Sequence, residues 1–176
     1  NQAMYGVVHG GIDRELRAKS CQFIAERAFD GFAIGGSVGK NRAEMVEMLS
    51  NVMHHIPTAA PVHLLGIGDL PSIDAIVPLG IDTFDSSYPT KAARHGLLLT
   101  AKGPVRVLQS SNRTAMGPIE EGCDCPTCLN GHSLAYIQHL FKAHEIAGLT
   151  LATVHNVRHM VRRMAQYRES ILKGEI

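Results

Sequence analysis

The sequence predicts an α/β fold built on a parallel sheet. Short apolar runs, each closed by a glycine turn, alternate with helical patterns three times and then open a fourth cycle. The runs are continuously apolar, which suits strands covered by crossover helices. Either a doubly wound sheet or a (β/α)₈ barrel produces this rhythm. In both, function gathers at the C-terminal ends of the strands.

Tyr5–His9 reads as the first strand, closed by Gly10-Gly11. Asp13 caps a helix whose periodicity is carried by Leu16, Ser20, Phe23, Ile24 and Arg27. Phe32–Ile34 is the second strand, closed by Gly35-Gly36. The second helix spans about 42–55, with Met45, Met48, Leu49 and Val52 on one face, and Pro57 and Pro61 mark the loop after it. Val62–Leu65 is the third strand, ending in Gly66-Ile67-Gly68. A third helix begins near Pro71 and stops at Gly80. Thr83–Asp85 ends a fourth strand. After Thr90 the rhythm breaks. Leu97–Thr100 and Val105–Gln109 flank Lys102-Gly103 as a hairpin. Two long helices, about 134–147 and 152–172, complete the chain.

The 176 residues are 45% apolar, enough for a sizeable core in one domain, or in one domain plus a small appendage. A formal charge of +1 excludes a wholly basic nucleic-acid-binding surface but leaves room for a local patch. No apolar run approaches the roughly 18 residues of a membrane span. The opening NQAMYGVV has no signal-peptide pattern. Clustered cysteines without a secretion signal point to a reducing cytoplasm.

Cys123, Cys125 and Cys128 lie together in the run GCDCPTC. Three thiolates and one imidazole suit a tetrahedral zinc ion, the alternative being a pair of disulfides or inert thiols. His132, His139, His144, His155 and His159 compete as fourth ligand. One from the last helix would staple the cysteine loop to it, so spacing makes His155 or His159 a modest favourite. Such a site has no open position, so its role is structural. Arg158, Arg162, Arg163 and Arg168 on the last helix read as a solvated face.

Asp85 ends an apolar strand and is followed by Ser-Ser-Tyr-Pro-Thr, which places a carboxylate at the functional rim. It suits a nucleophile or general base, or a turn-forming residue. Asp82 is its rival. Lys91 and Arg94 follow at once as phosphate ligands. The glycine turns permit close backbone approach to a planar ligand, and none matches G-x-G-x-x-G, which argues against a dinucleotide.

These residues carry a resemblance. The run Gly80-Ile81-Asp82-Thr83-Phe84-Asp85 with Pro89-Thr90 resembles the active-site strand of the tRNA-guanine transglycosylases. GVVHGG at Gly6–Gly11, FAIGG at Phe32–Gly36, LLGIG at Leu64–Gly68, CDCPTC at Cys123–Cys128 and TVHN at Thr153–Asn156 follow the family in order. The resemblance implies a zinc-bearing (β/α)₈ barrel that exchanges guanine at the tRNA wobble position for a 7-deazaguanine, preQ1 or queuine. It implies Asp85 as the nucleophile at C1′ of the wobble ribose. It implies His9, Gly35, Gly36 and Leu65 as base-binding residues. It implies tRNA contacts from Gly66, Ile67, Gly68, Asp69, Leu70, Pro71 and Ser72, and from Thr90, Lys91, Ala92, Ala93 and Arg94. Cys123, Cys125, Cys128 and His155 match the ligands of one structural zinc, and the family implies a homodimer.

The chain departs from the family at His9, where glutamine is usual, and at Gly35-Gly36-Ser37, where Gly-Gly-Leu is usual. Both line the base pocket and leave open which 7-deazaguanine enters. A (β/α)₈ barrel needs about 250 residues. The expectation is therefore the C-terminal half of the barrel, with the nucleophile in 1–100 and a zinc subdomain with C-terminal helices in 101–176. As a fragment it is expected to be inactive alone, since the family's proton-handling aspartate lies in the other half. Two other readings are a non-catalytic partner subunit, against which the intact Phe84-Asp85 pair argues, and a zinc-stapled RNA-binding module.

Overall fold

The computed structural model describes residues 2–176. The chain divides into two compact units, 1–86 and 87–176.

In the first unit, β1 (Tyr5–Val8), β2 (Gly31–Ile34), β3 (Val62–Leu64) and β4 (Thr83–Phe84) lie side by side in chain order, all parallel. The helices α1 (Arg14–Ala25), α2 (Arg42–Met53) and α3 (Leu70–Ile76) connect them. Each begins with a side-chain cap: Asp13, Asn41 and Asp69 accept from the backbone N–H of Leu16, Glu44 and Ser72. α1 packs on β1 and on α2, and α2 packs on α3, so the helices line one face of the sheet. There Val8, Ile34 and Leu64 meet Cys21, Ile24, Met45, Leu49, Val52 and Ile76 in one core. On the opposite face Tyr5, Val7 and Leu65 stay 36–39% exposed. The four strands form an open sheet.

Two aspartates start strands in the same way. Asp30 pairs with Met4 and Asp82 with Val62, each through its backbone N–H to the partner's carbonyl. Each also accepts the partner's N–H on Oδ2, both at 2.7 Å. Asp82, the sequence rival of Asp85, thereby has its carboxylate committed to strand pairing.

The expected core stripe of α1 holds at Ile24 and is otherwise displaced by one position. Arg17, Cys21 and Ile24 are buried, whereas Leu16 and Phe23 are 53% and 54% exposed. A charged residue in the buried stripe hid it from a hydropathy pattern. Phe23 lies instead under the Arg27 guanidinium, 3.1 Å from ring centroid to Cζ.

The second unit opens with α4 (Tyr88–Arg94), a helix the sequence reading did not assign, which spans the point at Thr90 where the strand–helix rhythm was expected to break. Pro89 is compatible with a first helical turn, and buried Ala92 and Ala93 let the helix pack on α7. The hairpin pairs β5 (Leu97–Leu98) with β6 (Val105–Arg106). Then come α5 (Pro126–Leu129), α6 (Leu134–Lys142) and α7 (Ile146–Lys173). The break between the last two helices falls at 143–145, where His144 has φ 56°, and not at 148–151 as expected. Gly148 is helical. A Cβ there would stand 2.9 Å from Leu140 Cβ, so this glycine permits close helix contact and does not end the helix.

Candidate active site and metal centre

The strand register gathers four expected site residues into one row. Val7, Ala33, His63 and Thr83 are neighbours across the sheet. Two residues further along each strand, where side chains return to the same face, stand His9, Gly35, Leu65 and Asp85. The ladder continues that far between the first three strands, since Gly35 N–H reaches Val8 O and Leu65 N–H reaches Ile34 O. A Cβ at Gly35 would lie 3.1 Å from Leu65 Cδ1, 3.1 Å from Val7 Cγ1 and 3.4 Å from His9 Cε1. Glycine therefore leaves a shallow floor among those side chains. Gly36, at φ 78°, turns the chain away beside His9 Nδ1.

The Asp85 side chain is 60% exposed. Its Oδ1 lies 3.1 Å from His63 Nε2 and accepts the Gly66 N–H at 3.2 Å. The other ring nitrogen of His63 lies 2.8 Å from Thr83 Oγ1. In the segment after β3, Asp69 caps α3 and lies 3.7 Å from Arg42, Ser72 is buried, and Gly66 and Pro71 are exposed. Ile67 packs against the core, Gly68 is buried and Leu70 is half-buried. In α4, Lys91 and Arg94 are exposed and Thr90 donates to Ser87 O.

In the second unit, Cys123, Cys125, Cys128 and His155 form a compact group able to hold one metal ion, with ligand atoms all within 4.8 Å of one another. His155 Nδ1 stands 3.6 Å from each of the three sulfurs. A tetrahedral ion with bonds of about 2.3 Å to sulfur and about 2.0 Å to nitrogen requires a separation of about 3.6 Å. The donors thus fit zinc. His155 Nε2 lies 2.8 Å from Leu99 O and donates to it, which leaves the Nδ1 lone pair for a metal. Burial pushes the His155 pKa down, favouring the neutral ring a metal needs. Burial also pushes the Cys125 thiol up and the Cys128 thiol up to about 12. A bound cation would supply the charge that makes thiolates stable there. All four cysteines of the chain are free thiols.

His159, the other favoured fourth ligand, stands 3.5 Å from Glu120 instead. Arg158 pairs with Asp124, between two of the cysteines, and holds its carboxyl below the usual carboxylate range. Arg162 lies 3.8 Å from Glu120 and 3.9 Å from Asp124. Two arginines of the expected solvated face therefore tie α7 to the cysteine loop.

The family model described as Queuine tRNA-ribosyltransferase matches residues 1–176. The chain belongs to the queuine tRNA-ribosyltransferase family. It is 58% identical over 170 residues to the queuine tRNA-ribosyltransferase of Protochlamydia amoebophila, covering 97% of this chain and 44% of that protein. The proteins of the same name from Chlamydia felis and Chlamydia caviae are 52% and 50% identical over 176 residues, 100% of this chain and 47% of theirs. The chain therefore spans slightly under half the length of these curated relatives.

Three residues to which the sequence reading gave no role, Asn156 among them although it closes the TVHN motif, hold this family's motifs in place. Arg17 is fully buried and donates to Val8 O, Gly11 O and Ser37 O, tying the turns after β1 and β2 to α1. Asn156 is fully buried beside His155 and clasps three backbone groups, from Leu99, Pro89 and Leu97. His63 contacts the candidate nucleophile. None had a signal in hydropathy or spacing, because each acts through backbone or side-chain partners distant in sequence.

Proposed function

We propose that this chain carries the nucleophile and the structural zinc of a tRNA-guanine transglycosylase. The observation that carries the reading is the row His9, Gly35, Leu65 and Asp85, with an exposed carboxylate beside a glycine-floored surface. A planar base lies on Gly35 and Gly36 against Leu65, and His9 meets its edge. The base leaves the anticodon stack to get there, which a single-stranded loop allows at low cost. Asp85 forms a bond to C1′ of the wobble ribose as the C1′–N9 bond to guanine breaks. The departing guanine takes up a proton, an incoming 7-deazaguanine gives one up from N9 as it forms its own bond to C1′, and Asp85 departs as a carboxylate. This is the double displacement of a retaining glycosidase. Queuine is the base named for the relatives, and preQ1 is the alternative.

The sequential parallel order of β1 to β4, with helices on one face, suits the C-terminal half of a (β/α)₈ barrel, since a doubly wound sheet reverses its strand order. In this reading 1–100 supplies the nucleophile and 101–176 the zinc subdomain. The segments Gly66–Ser72 and Thr90–Arg94 contact tRNA, with Lys91 and Arg94 on phosphates. The enzyme works in the cytoplasm as a homodimer.

Bound zinc would neutralise the buried thiolates and cross-link the cysteine loop to α7. His155 would hold it through Nδ1, with Nε2 donating to Leu99 O. The metal has no part in the displacement, because four protein ligands leave no open position.

The test uses a protein of full family length carrying these residues. With tRNA containing a wobble guanosine, it should form an adduct that survives a denaturing gel. Asp85→Asn should abolish the adduct while one zinc and tRNA binding remain. An adduct that persists in Asp85→Asn removes this assignment.

A further inference from the structure

We propose that His63 is a positioning residue for Asp85, holding one carboxylate oxygen so that the other attacks, and steadying the charge as Asp85 departs. This rests on the reading of Asp85 as nucleophile.

Both contacts to the carboxylate converge on the same atom. Oδ1 receives His63 Nε2 at 3.1 Å and Gly66 N–H at 3.2 Å. Among the described residues, Oδ2 accepts no hydrogen bond. An ionised carboxylate only accepts, so Nε2 must carry a proton. In the neutral ring Nδ1 is then the acceptor, and Thr83 Oγ1, 2.8 Å away, is its donor. Thr83 thus sets the tautomer from behind, and His63 presents an N–H to Asp85. His63 is the central residue of β3 and stands beside Thr83 in the strand register. Its side chain is only 24% exposed, against 60% for Asp85, so a held ring fixes a freer carboxylate.

The consequence differs between the two displacements. Attack uses the unengaged Oδ2 lone pair and converts Oδ1 into the carbonyl oxygen of a glycosyl ester. When the incoming base forms its N9–C1′ bond, it gives up its N9 proton, the C1′–Oδ2 bond breaks and that bond's electron pair returns to the carboxylate. Negative charge then develops partly on Oδ1, between two donors already in place. Removing the His63 N–H therefore penalises discharge of the adduct in particular.

The experiment uses a protein of full family length, tRNA with a wobble guanosine, and radiolabelled guanine as incoming base. His63→Leu should bind tRNA and zinc normally and discharge its adduct about 10- to 100-fold more slowly, as expected for one lost charge-assisted hydrogen bond. The adduct should accumulate at steady state. His63→Gln restores an N–H without needing a tautomer and should recover most of the rate. Thr83→Val should slow discharge in the native background and change nothing in the His63→Gln background. That dependence is one that a purely structural role would not produce, and it carries the test if His63→Leu fails to fold. Discharge at the native rate in His63→Leu, or equal effects of Thr83→Val in both backgrounds, overturns the proposal. Failure of the Asp85 reading is a separate outcome, because it shows as an adduct in Asp85→Asn.

Discussion

Replacing Asn156 with Ala should destabilise the second unit and weaken metal binding together. Asn156 is fully buried on α7, and its side chain makes three hydrogen bonds. Oδ1 accepts Leu99 N–H at 2.9 Å, and Nδ2 donates to Pro89 O at 3.1 Å and Leu97 O at 2.9 Å. At about 1 kcal/mol net for each, the loss is about 3 kcal/mol. In a chain of this size that lowers Tm by roughly 6–12 °C. The metal effect follows from Leu99, whose carbonyl accepts from His155 Nε2 while its N–H is held by Asn156. Freeing one end of that residue loosens the ring that faces the sulfurs. Loss of such an outer contact typically costs about 10- to 100-fold in metal affinity. Circular dichroism melting of the metal-loaded protein and a competition titration with a chromophoric chelator measure the two effects. Asn156→Asp keeps the acceptor for Leu99 but loses both donors, and should be no better than Ala at neutral pH. A Tm within about 2 °C of the native value, with unchanged metal affinity, would refute the reasoning.

Three further outcomes follow from the metal centre. Cys125→Ser should reduce bound zinc from one equivalent to none at equimolar metal. At a thousandfold excess of metal over its Kd, the native protein should lose about 4 kcal/mol on chelation. Because burial holds the Cys128 thiol up to about 12, binding must expel its proton, so affinity should rise with pH through the neutral range. A flat profile in zinc titrations from pH 6 to pH 8 would contradict this. Arg158→Gln should destabilise the second unit at neutral pH and not in strong acid. The Asp124 carboxyl is depressed mainly by its hydrogen bond to Arg158, so the pair's contribution is present above the unfolded carboxylate value, about 3.9, and disappears as pH falls through the lower folded value. Urea midpoints for both proteins at neutral pH and near pH 2 should converge; a constant gap would refute it.

Much of the frame was legible in the sequence. The glycine turns after Val8, Ile34 and Leu64 placed the C-terminal strand ends, and the cap Asp13 and the early proline Pro71 placed two helix starts. The cysteine spacing announced a metal site. The fourth ligand was not legible from spacing, because five histidines follow or flank the cluster and only the fold decides which one reaches the sulfurs. The resemblance named His155, and its geometry shows the ring nitrogen equidistant from all three thiols. Asp82 and Asp85 were likewise equivalent as letters. Strand pairing separates them, committing Asp82 to Val62 and leaving Asp85 exposed at the row's end.

Taken alone, the sequence determined what depends on near neighbours: apolar periodicity, helix caps, glycine turns and a local cluster of soft ligands. Only the tertiary structure decided that Arg17 is buried, that Asn156 and His155 hold opposite ends of Leu99, and that His63 stands between Thr83 and Asp85. Each of these rests on hydrogen bonds that no helix or strand period predicts, to partners six positions away for Arg17 and Gly11 and 67 away for Asn156 and Pro89. A polar side chain has no periodicity that marks its partner, so its role becomes definite only when the sheet register and helix packing bring the two together.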